Sequence, residues 1–168
     1  MAFVNVDPKK LDVNFFKMID DQWMLITAGD ENKLNTMTAS WGGTGVLWHK
    51  NVTFAFIRES RYTLEFLDSN DYYTLSFFGN KMMKELSYCG SHSGRDVDKV
   101  KDTGLVPVYG DKAPYFEQAE LVVVCRKLYR QKIDENCILD KDIIGKSYPN
   151  GDWHYTFIGE IVKVLKKV

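Results

Sequence analysis

Two short runs of this chain combine small hydroxyl residues, glycines and arginines. They are Asn35-Thr36-Met37-Thr38-Ala39-Ser40-Trp41-Gly42-Gly43 and Arg58-Glu59-Ser60-Arg61-Tyr62-Thr63. Backbone and hydroxyl donors of the first run can come close to a flat ligand with polar edges. The second run places two guanidinium groups and two hydroxyls where a helix is predicted to begin, which is typical of a phosphate site. A flat ring at one end and a phosphate at the other describe a mononucleotide such as FMN.

The second run also has a plainer interpretation. Ser60 is a favourable N-cap residue for a helix over 61–69. Arg58 and Arg61 would then be two solvated side chains near the start of an ordinary capped helix. Taken alone, the run does not decide between this interpretation and a phosphate site.

Length and composition indicate one domain that spans residues 1–168 and is large enough to bury a core. Aromatic residues make up 14% of the chain, which suits a β-rich core or a stacking pocket. Lysine and arginine number 22 against 23 aspartates and glutamates, so the formal charge is 22 − 23 = −1. A nearly neutral chain gives no support to nucleic-acid or anionic-membrane binding as its main role.

Cysteine and histidine spacing argues against a metal or dithiol site. Cys89, Cys125 and Cys137 form no CxxC pair, so we expect inert thiols in a reducing compartment. The three histidines share no ligand spacing on a helix face, and we expect no metal. The N-terminus lacks the features of a signal peptide, and the longest aliphatic stretch, at 121–125, is too short to span a bilayer. A cytoplasmic location without membrane attachment is therefore expected.

Strand patterns dominate the chain. The predicted strands cover residues 23–28, 37–41, 53–57, 73–78, 121–129 and 155–164, and the first two are predicted to form a hairpin. Three short helices are predicted: 61–69 capped by Ser60, 81–87 capped by Asn80 and ending at Gly90, and 96–103 ended by Gly104. Many strands with small helices between them favour a mainly β fold, a closed or nearly closed barrel.

Several motifs in a consistent order resemble the flavin reductase-like family, whose fold is the FMN-binding split β-barrel. Besides Asn35 to Trp41 and Arg58 to Thr63, they are Ser76-Phe77-Phe78, Ser93-Gly94-Arg95-Asp96-Val97-Asp98-Lys99 and the ending His154 to Ile161. The resemblance covers most of the chain. It implies a homodimer with FMN bound near the subunit interface, and a relation to NAD(P)H:flavin reductases and to flavoredoxin-type electron carriers.

The resemblance also assigns roles to residues. Those expected to line the isoalloxazine, through backbone N–H groups and the hydroxyls of Thr38 and Ser40, are Met37, Thr38, Ala39, Ser40 and Trp41. Those expected to hold the phosphate or ribityl chain are Arg58, Ser60, Arg61 and Thr63. Those expected to contribute from a loop over the flavin, or over the partner subunit, are Ser93, Gly94, Arg95 and Lys99.

Other interpretations stay open for individual residues. Trp41 can be a core residue, and residues 93–99 can form a capped surface helix whose Arg95 and Lys99 pair with aspartates at i,i+4 spacing. His154 is a candidate catalytic residue, and its alternative is a strand histidine with a satisfied hydrogen bond.

Two functions of different classes follow from the resemblance. The first is an enzyme that reduces FMN with NAD(P)H as electron donor, by hydride transfer to flavin N5. The second is a non-enzymatic carrier that passes electrons between protein partners. A weaker third is a binding protein for another planar ligand such as haem. Because the flavin supplies the chemistry, neither of the first two functions requires a nucleophile or base from the protein.

Overall fold

The computed structural model describes residues 2–168, and strands prevail over helices in this range. The strands are β1 (Phe3–Asn5), β2 (Met24–Gly29), β3 (Leu34–Ala39), β4 (Gly42–Leu47), β5 (Lys50–Arg58), β6 (Tyr72–Phe77), β7 (Pro107–Val108), β8 (Tyr115–Phe116), β9 (Leu121–Lys132) and β10 (His154–Lys167). The helices are α1 (Phe15–Asp20), α2 (Thr63–Ser69), α3 (Met83–Ser91), α4 (Lys99–Thr103) and α5 (Asp142–Ser147). Single 3₁₀ turns lie at Pro8–Lys10 and Glu135–Cys137. The prediction of a mainly β fold with short helices is confirmed.

One antiparallel sheet organises the chain. Its strands follow the order β3-β2-β6-β9-β10-β5-β4, with β1 paired to β10, while β7 and β8 form a separate pair. The register of β10 against β9 shifts at Ile158/Gly159 and at Ile161/Lys163, and such irregularities help long strands to bend. Within residues 2–168 the outer strands β3 and β4 do not pair with each other. The sheet is therefore not a closed barrel, and the free edge of β3 borders the site described below.

Both faces of the central strands are buried. Ile26 and Val123 belong to one apolar cluster, whereas their neighbours Leu25 and Val122 belong to a second cluster that includes Leu86 of α3. A strand covered on both faces needs apolar residues at every position rather than at alternate ones. This explains the uninterrupted aliphatic stretch at 121–125.

The predicted hairpin of the first two strands is confirmed. β2 pairs with β3 in an antiparallel register that sets Ile26 opposite Met37 and Thr27 opposite Thr36. The hydroxyls of Thr27 and Thr36 form a buried hydrogen bond of 2.8 Å. The hairpin fixes the position of the first hydroxyl-rich run, which lies on β3 and just after it.

Two of the predicted helix starts are wrong. α2 begins at Thr63 without a side-chain cap, because the Ser60 hydroxyl donates to Asp152 instead. α3 begins at Met83 after Met82, so Asn80 does not cap it, and its last residue is Ser91. An N-cap contributes only about 1 kcal/mol, so a tertiary partner can override it.

The third helix is shorter than predicted. α4 starts at Lys99, and the side chain of Asp98 accepts a hydrogen bond from the Lys101 N–H as its cap. Residues 93–98 form turns before it, so the alternative of a surface helix over 93–99 is wrong. Its predicted end is confirmed, since Gly104 takes the left-handed conformation with φ of 69°.

Candidate functional site

The site is built along the free edge of β3, where α3 packs. The Thr38 hydroxyl donates to the Leu86 carbonyl of α3 at 2.5 Å, and the Thr36 carbonyl accepts a bond from Lys99 Nζ at 2.8 Å. The Thr36 carbonyl therefore faces away from β2. Successive residues of an antiparallel strand direct their backbone N–H and C=O groups to opposite sides. Thr38 is two residues after Thr36, so its backbone groups face the same free edge. That edge offers backbone donors and acceptors to a ligand.

The C-terminal end of α3 holds two cationic side chains. The Cys89 carbonyl accepts a hydrogen bond from Lys99 Nζ at 2.7 Å, and the Gly90 carbonyl accepts one from Arg61 Nη1 at 2.7 Å. Carbonyls of the last helical turn lack partners within the helix and carry partial negative charge, so they bind cations favourably. The positive charges of Lys99, from α4, and Arg61, from the segment between β5 and α2, are thereby brought beside β3.

A first cavity of about 210 Å³ lies against the free edge. We call it the ring cavity. It is lined by Met37, Thr38, Ala39, Ser40, Trp41, Phe56, Arg58, Arg61 and His154. All five residues that the sequence assigned to a flavin ring are among them. Trp41 is 46% exposed, so the interpretation of this side chain as core is wrong.

Arg58 lines the ring cavity but is held by the backbone of a neighbouring loop. Its Nη1 donates to the Asp152 carbonyl and its Nη2 to the Ser147 carbonyl, each at 3.0 Å. The guanidinium carbon lies 5.9 Å from the ring centroid of Trp41 and 5.2 Å from that of Tyr148. Arg58 is thus not a solvated side chain, and it tethers the loop over 147–152 to the end of β5.

His154 opens β10 opposite Arg58 and lies beside the ring cavity. The imidazole is buried, its Nδ1 is 2.8 Å from the Tyr148 hydroxyl, and its ring centroid is 5.1 Å from that of Trp41. Burial lowers the pKa of His154 to about 4, and the charge of Arg58 also lowers it, while Asp152 acts in the opposite direction. The imidazole is therefore neutral at pH 7 and presents a hydrogen-bonding ring rather than a charge.

A second cavity, of about 170 Å³, adjoins the first through the shared residues Met37 and Arg61. We call it the anion cavity. It is lined by Asn35, Met37, Ser60, Arg61, Tyr62, Thr63, Ser91, His92, Ser93, Gly94 and Lys99. Two cations and several hydroxyls converge here, while no carboxylate from the described residues lines it. This donor set suits a phosphate group.

Ser60 is engaged by a carboxylate from the loop that precedes β10. Its N–H donates to Asp152 Oδ1 at 2.9 Å and its hydroxyl donates to Oδ2 at 2.8 Å. Asp152 has φ of 57°, the left-handed region that few residues other than glycine adopt. The same residue offers its carbonyl to Arg58, so one strained position fixes both side chains.

Gly94 and Asn35 close the wall of the anion cavity. A Cβ on Gly94 would lie 2.9 Å from Asn35 Cγ, so only glycine permits this approach of the loop to β3. The Asn35 amide donates to the buried Thr63 hydroxyl at 2.8 Å. The contact ties three segments of the predicted site together.

Arg95 is the one predicted site residue that lines neither cavity. Its guanidinium pairs with Glu65 at 2.5 Å and stacks 4.6 Å from the ring centroid of Tyr62. It lies instead on a neighbouring polar cavity of about 560 Å³. Lys99, from the same motif, is buried and binds two backbone carbonyls, so the proposed i,i+4 pairs with aspartates are absent from the ion pairs of residues 2–168.

Sequence reasoning missed some residues that line or shape the two cavities. They are Asn35, Phe56, Tyr62, Ser91, His92, Tyr148 and Asp152. Phe56 was findable, since it lies two residues before Arg58 on β5 and therefore on the same face. Asp152 had no local signal, because its partners are more than 90 residues away.

A larger cavity, of about 640 Å³, adjoins the ring cavity and is mainly apolar. The two share Ser40, Trp41 and Phe56. Its other walls include the side chains of α1, where Phe16 is 90% exposed, and Asp20 is its one charged lining residue in the described chain. The ring end of the site thus opens toward an apolar space, in contrast to the cationic anion cavity.

Metal and thiol chemistry find no support in the described residues. In residues 2–168, no group of three or more His, Cys, Asp or Glu side chains is placed to hold a metal ion. Burial raises the pKa of Cys89 to about 11 and that of Cys125 to about 12, so both are thiols rather than reactive thiolates at pH 7.

No helix within residues 2–168 is long and apolar enough to cross a membrane.

The comparisons with known proteins identify the class. The model of the flavin reductase like domain matches residues 18–167, and the chain therefore belongs to that family. No curated protein matches the chain significantly.

Solved structures share its fold. The flavoredoxin of Methanosarcina acetivorans is 24% identical over 87% of this chain and 68% of its own, with a TM-score of 0.66. An FMN-binding domain of a flavin reductase-like enzyme from Shewanella baltica is 15% identical over 98% and 77%, with a TM-score of 0.69. The NADH:FAD oxidoreductase of Streptomyces globisporus is 18% identical over 96% and 86%, with a TM-score of 0.64. The split-barrel expectation is confirmed by this fold.

We predict that His154 titrates with a midpoint near pH 4, well below its ordinary value of 6.5. Between these values the unfolded chain binds more protons than the folded one, so the stability from the neutral imidazole is present above about pH 6.5 and lost toward pH 4. NMR measures the midpoint from the chemical shifts of the carbon-bound imidazole protons between pH 7 and pH 3.5. A midpoint at 6 or above would show that the imidazole is solvated.

Proposed function

We propose that this protein binds FMN along the two adjoining cavities and reduces it with NAD(P)H. The observation that carries the proposal is the pairing of the cavities: one has an aromatic wall and a free strand edge, and the other has two cations and several hydroxyls. Met37 and Arg61 lie at the boundary, which is where the ribityl chain would pass. The residues present fit the cofactor in shape and in charge.

The anion cavity would hold the phosphate. Arg61 uses one of its guanidinium N–H groups for the Gly90 carbonyl among the hydrogen bonds of residues 2–168, so others are free to bind an anion. The Lys99 ammonium donates to two carbonyls and has a third N–H. The two positive charges match the charge of a phosphate dianion, and the hydroxyls of Ser91 and Ser93 line the same space.

The ring cavity would hold the isoalloxazine. Backbone groups on the free edge of β3 can bind the polar edge of the ring, and Trp41 and Phe56 can cover apolar parts of it. Arg58 lines the same cavity, and its fixed charge would stabilise negative charge on a reduced ring held there. The neutral His154 adds a hydrogen-bonding group without adding a second charge.

When bound, FMN supplies the two-electron chemistry. The protein's residues bind the phosphate, orient the ring and provide charge beside it, and no nucleophile or general base is required. The apolar 640 Å³ cavity next to the ring cavity supports an approach by the nicotinamide, since a flat ring can enter there beside Trp41 and Phe56. The charged parts of NAD(P)H would stay outside this cavity.

An electron carrier between protein partners is the second candidate. The exposed Phe16 and Trp41 beside the ring cavity favour it, because a redox partner could dock on such apolar side chains. Both candidates place FMN in the same cavities. They differ in whether a small-molecule donor reduces the flavin directly.

Anaerobic addition of NADH or NADPH to the FMN-loaded protein separates the two candidates. We expect loss of the flavin absorbance near 450 nm within about a second, in line with typical enzyme turnover rates. As a control, the same protein is reduced chemically and then reoxidised, which shows that its bound flavin can accept and release electrons. If dithionite bleaches the bound flavin and neither NADH nor NADPH does, the result supports the electron-carrier function and refutes the reductase function.

We predict that Arg61→Ala raises the FMN dissociation constant about 10- to 100-fold, because a charge-assisted hydrogen bond contributes about 1.5–3 kcal/mol to binding. Riboflavin lacks the phosphate, so its affinity should barely change. Fluorescence titration of both flavins into the apoprotein measures the two dissociation constants. Arg126→Ala is the matched control, because Arg126 pairs with Glu160 and lines neither cavity.

Each result of this comparison has one meaning. Equal FMN affinity in wild type and Arg61→Ala would show that Arg61 does not bind the phosphate. Equal weakening of FMN and riboflavin would mean that the substitution damaged the ring cavity or the fold. A loss in Arg126→Ala as large as in Arg61→Ala would mean that the lower FMN affinity is not specific to the anion cavity.

We also propose that the chain forms a homodimer with FMN near the interface. The exposed apolar side chains of Phe16, Val46 and Trp48 support an interface, as does the opening of the ring cavity toward an apolar space. We expect light scattering at micromolar concentration to give twice the chain mass of 19.4 kDa. A single species at 19.4 kDa would exclude the dimer.

A further inference from the structure

Lys99 is a buried cation without a carboxylate partner. The residue is 5% exposed, its ammonium donates to the Thr36 and Cys89 carbonyls, and none of the ion pairs among residues 2–168 includes it. Burying an ammonium group is costly unless a negative charge compensates it. Two carbonyls compensate only in part. The structure therefore contains a buried positive charge without an ion pair, and Lys99 lines the anion cavity, where an anionic ligand can compensate that charge.

The charged and titratable groups around Lys99 do not supply that counter-charge. Arg61 approaches from the start of α2 and has the same sign, and Cys89 of α3 is a thiol whose pKa burial raises to about 11. On the side of α4, the Asp98 carboxylate caps the helix and Asp102 accepts from the Tyr88 hydroxyl at 2.6 Å. The exposed Asp96 lines the neighbouring polar cavity with Asp98 and Lys99, and neither carboxylate is among the ion-pair partners of Lys99 in residues 2–168. The exposed His92 completes the set at the end of α3. Burial lowers the pKa of Lys99 to about 8; Cys89 opposes this shift and Arg61 adds to it.

We propose that Lys99 couples phosphate binding to proton uptake, so that affinity for FMN, and not for riboflavin, falls as the pH is raised. The inference rests on the proposed function and adds a regulatory property to it. A phosphate dianion beside the ammonium stabilises its charged form. When Lys99 is neutral in the free protein, binding of the dianion is accompanied by transfer of one proton from a buffer acid to the lone pair of Nζ. This transfer forms an N–H bond and leaves the buffer base in solution.

The sign and size follow from linkage. A bound state that holds more protons than the free state is favoured by low pH, so the FMN dissociation constant is flat below pH 8 and rises above it. With a pKa of about 8 in the free protein, the constant should increase about tenfold between pH 7 and pH 9. The phosphate is already dianionic there, because its second pKa is near 6. The thiol of Cys89 titrates above this range.

The test measures binding of FMN, riboflavin and inorganic phosphate to the wild-type apoprotein at pH 7, 8 and 9. Calorimetry at pH 8 in two buffers of different ionisation enthalpy counts the protons taken up. We expect about half a proton per FMN at pH 8 and none for riboflavin. Inorganic phosphate, at millimolar concentration, should show the pH dependence of FMN if the anion cavity alone is responsible.

Variants assign the effect to one residue. Lys99→Met removes the charge at similar length and should give weaker FMN binding that no longer changes between pH 7 and pH 9. Lys101→Met, on the same short helix but exposed, should behave like wild type. The proton count in wild type stands as a test even if Lys99→Met does not fold.

The outcomes separate the two proposals. FMN that binds tightly with no proton uptake, or riboflavin with the same pH dependence, would overturn the role of Lys99 and leave the proposed function intact. A protein that binds neither flavin would overturn both. If the FMN affinity of Lys99→Met depends on pH as in wild type, a residue other than Lys99 titrates and the proposal is refuted.

Discussion

The end of α3 is the point on which the site depends. A helix leaves the carbonyls of its last turn without partners, and here Cys89 and Gly90 give theirs to Lys99 and Arg61. These two bonds bring a positive charge from α4 and one from the segment that precedes α2 to one place beside β3. The helix itself is docked on that strand by the Thr38 hydroxyl, with Gly90 close to Thr38. Backbone dipoles, rather than carboxylates, therefore keep the cations in position, and their charge remains available to an anion.

Charge is distributed unevenly along the two cavities, and this gives the site a direction. Lys99 lines the anion cavity, Arg61 lies at the boundary of the two cavities, and Arg58 lines the ring cavity. Beyond Arg58 the ring cavity leads to an apolar space with aromatic walls. His154 would add a charge near the ring, but burial and Arg58 keep it neutral. A ligand with a phosphate and a flat ring can satisfy both ends only in one orientation.

The split in the sheet is as important as the side chains. In a closed barrel, the outer groups of β3 would bond to a neighbouring strand. Because β3 and β4 do not pair in the described chain, the Thr36 carbonyl binds Lys99 and the backbone of Thr38 faces the ring cavity. Unpaired strand edges usually invite aggregation, and here α3 covers part of the edge while the remainder forms the site.

Local patterns in the sequence predict six of the ten strands in the described residues, the hairpin that presents the hydroxyl-rich run, the family resemblance, and most of the residues that meet at the two cavities. These patterns are period, turn residues and motifs in order, and they do not predict β4, the outer strand at the other side of the split. The pairing of the polar side chains is visible only in the folded chain. Ser60 binds Asp152 instead of capping α2, Arg95 pairs with Glu65 away from the cavities, and Lys99 is buried on two carbonyls. Hydrogen-bond partners of this kind differ by about 1 kcal/mol and lie far apart in the chain, so local spacing cannot select among them, whereas the packing of the strands and helices does.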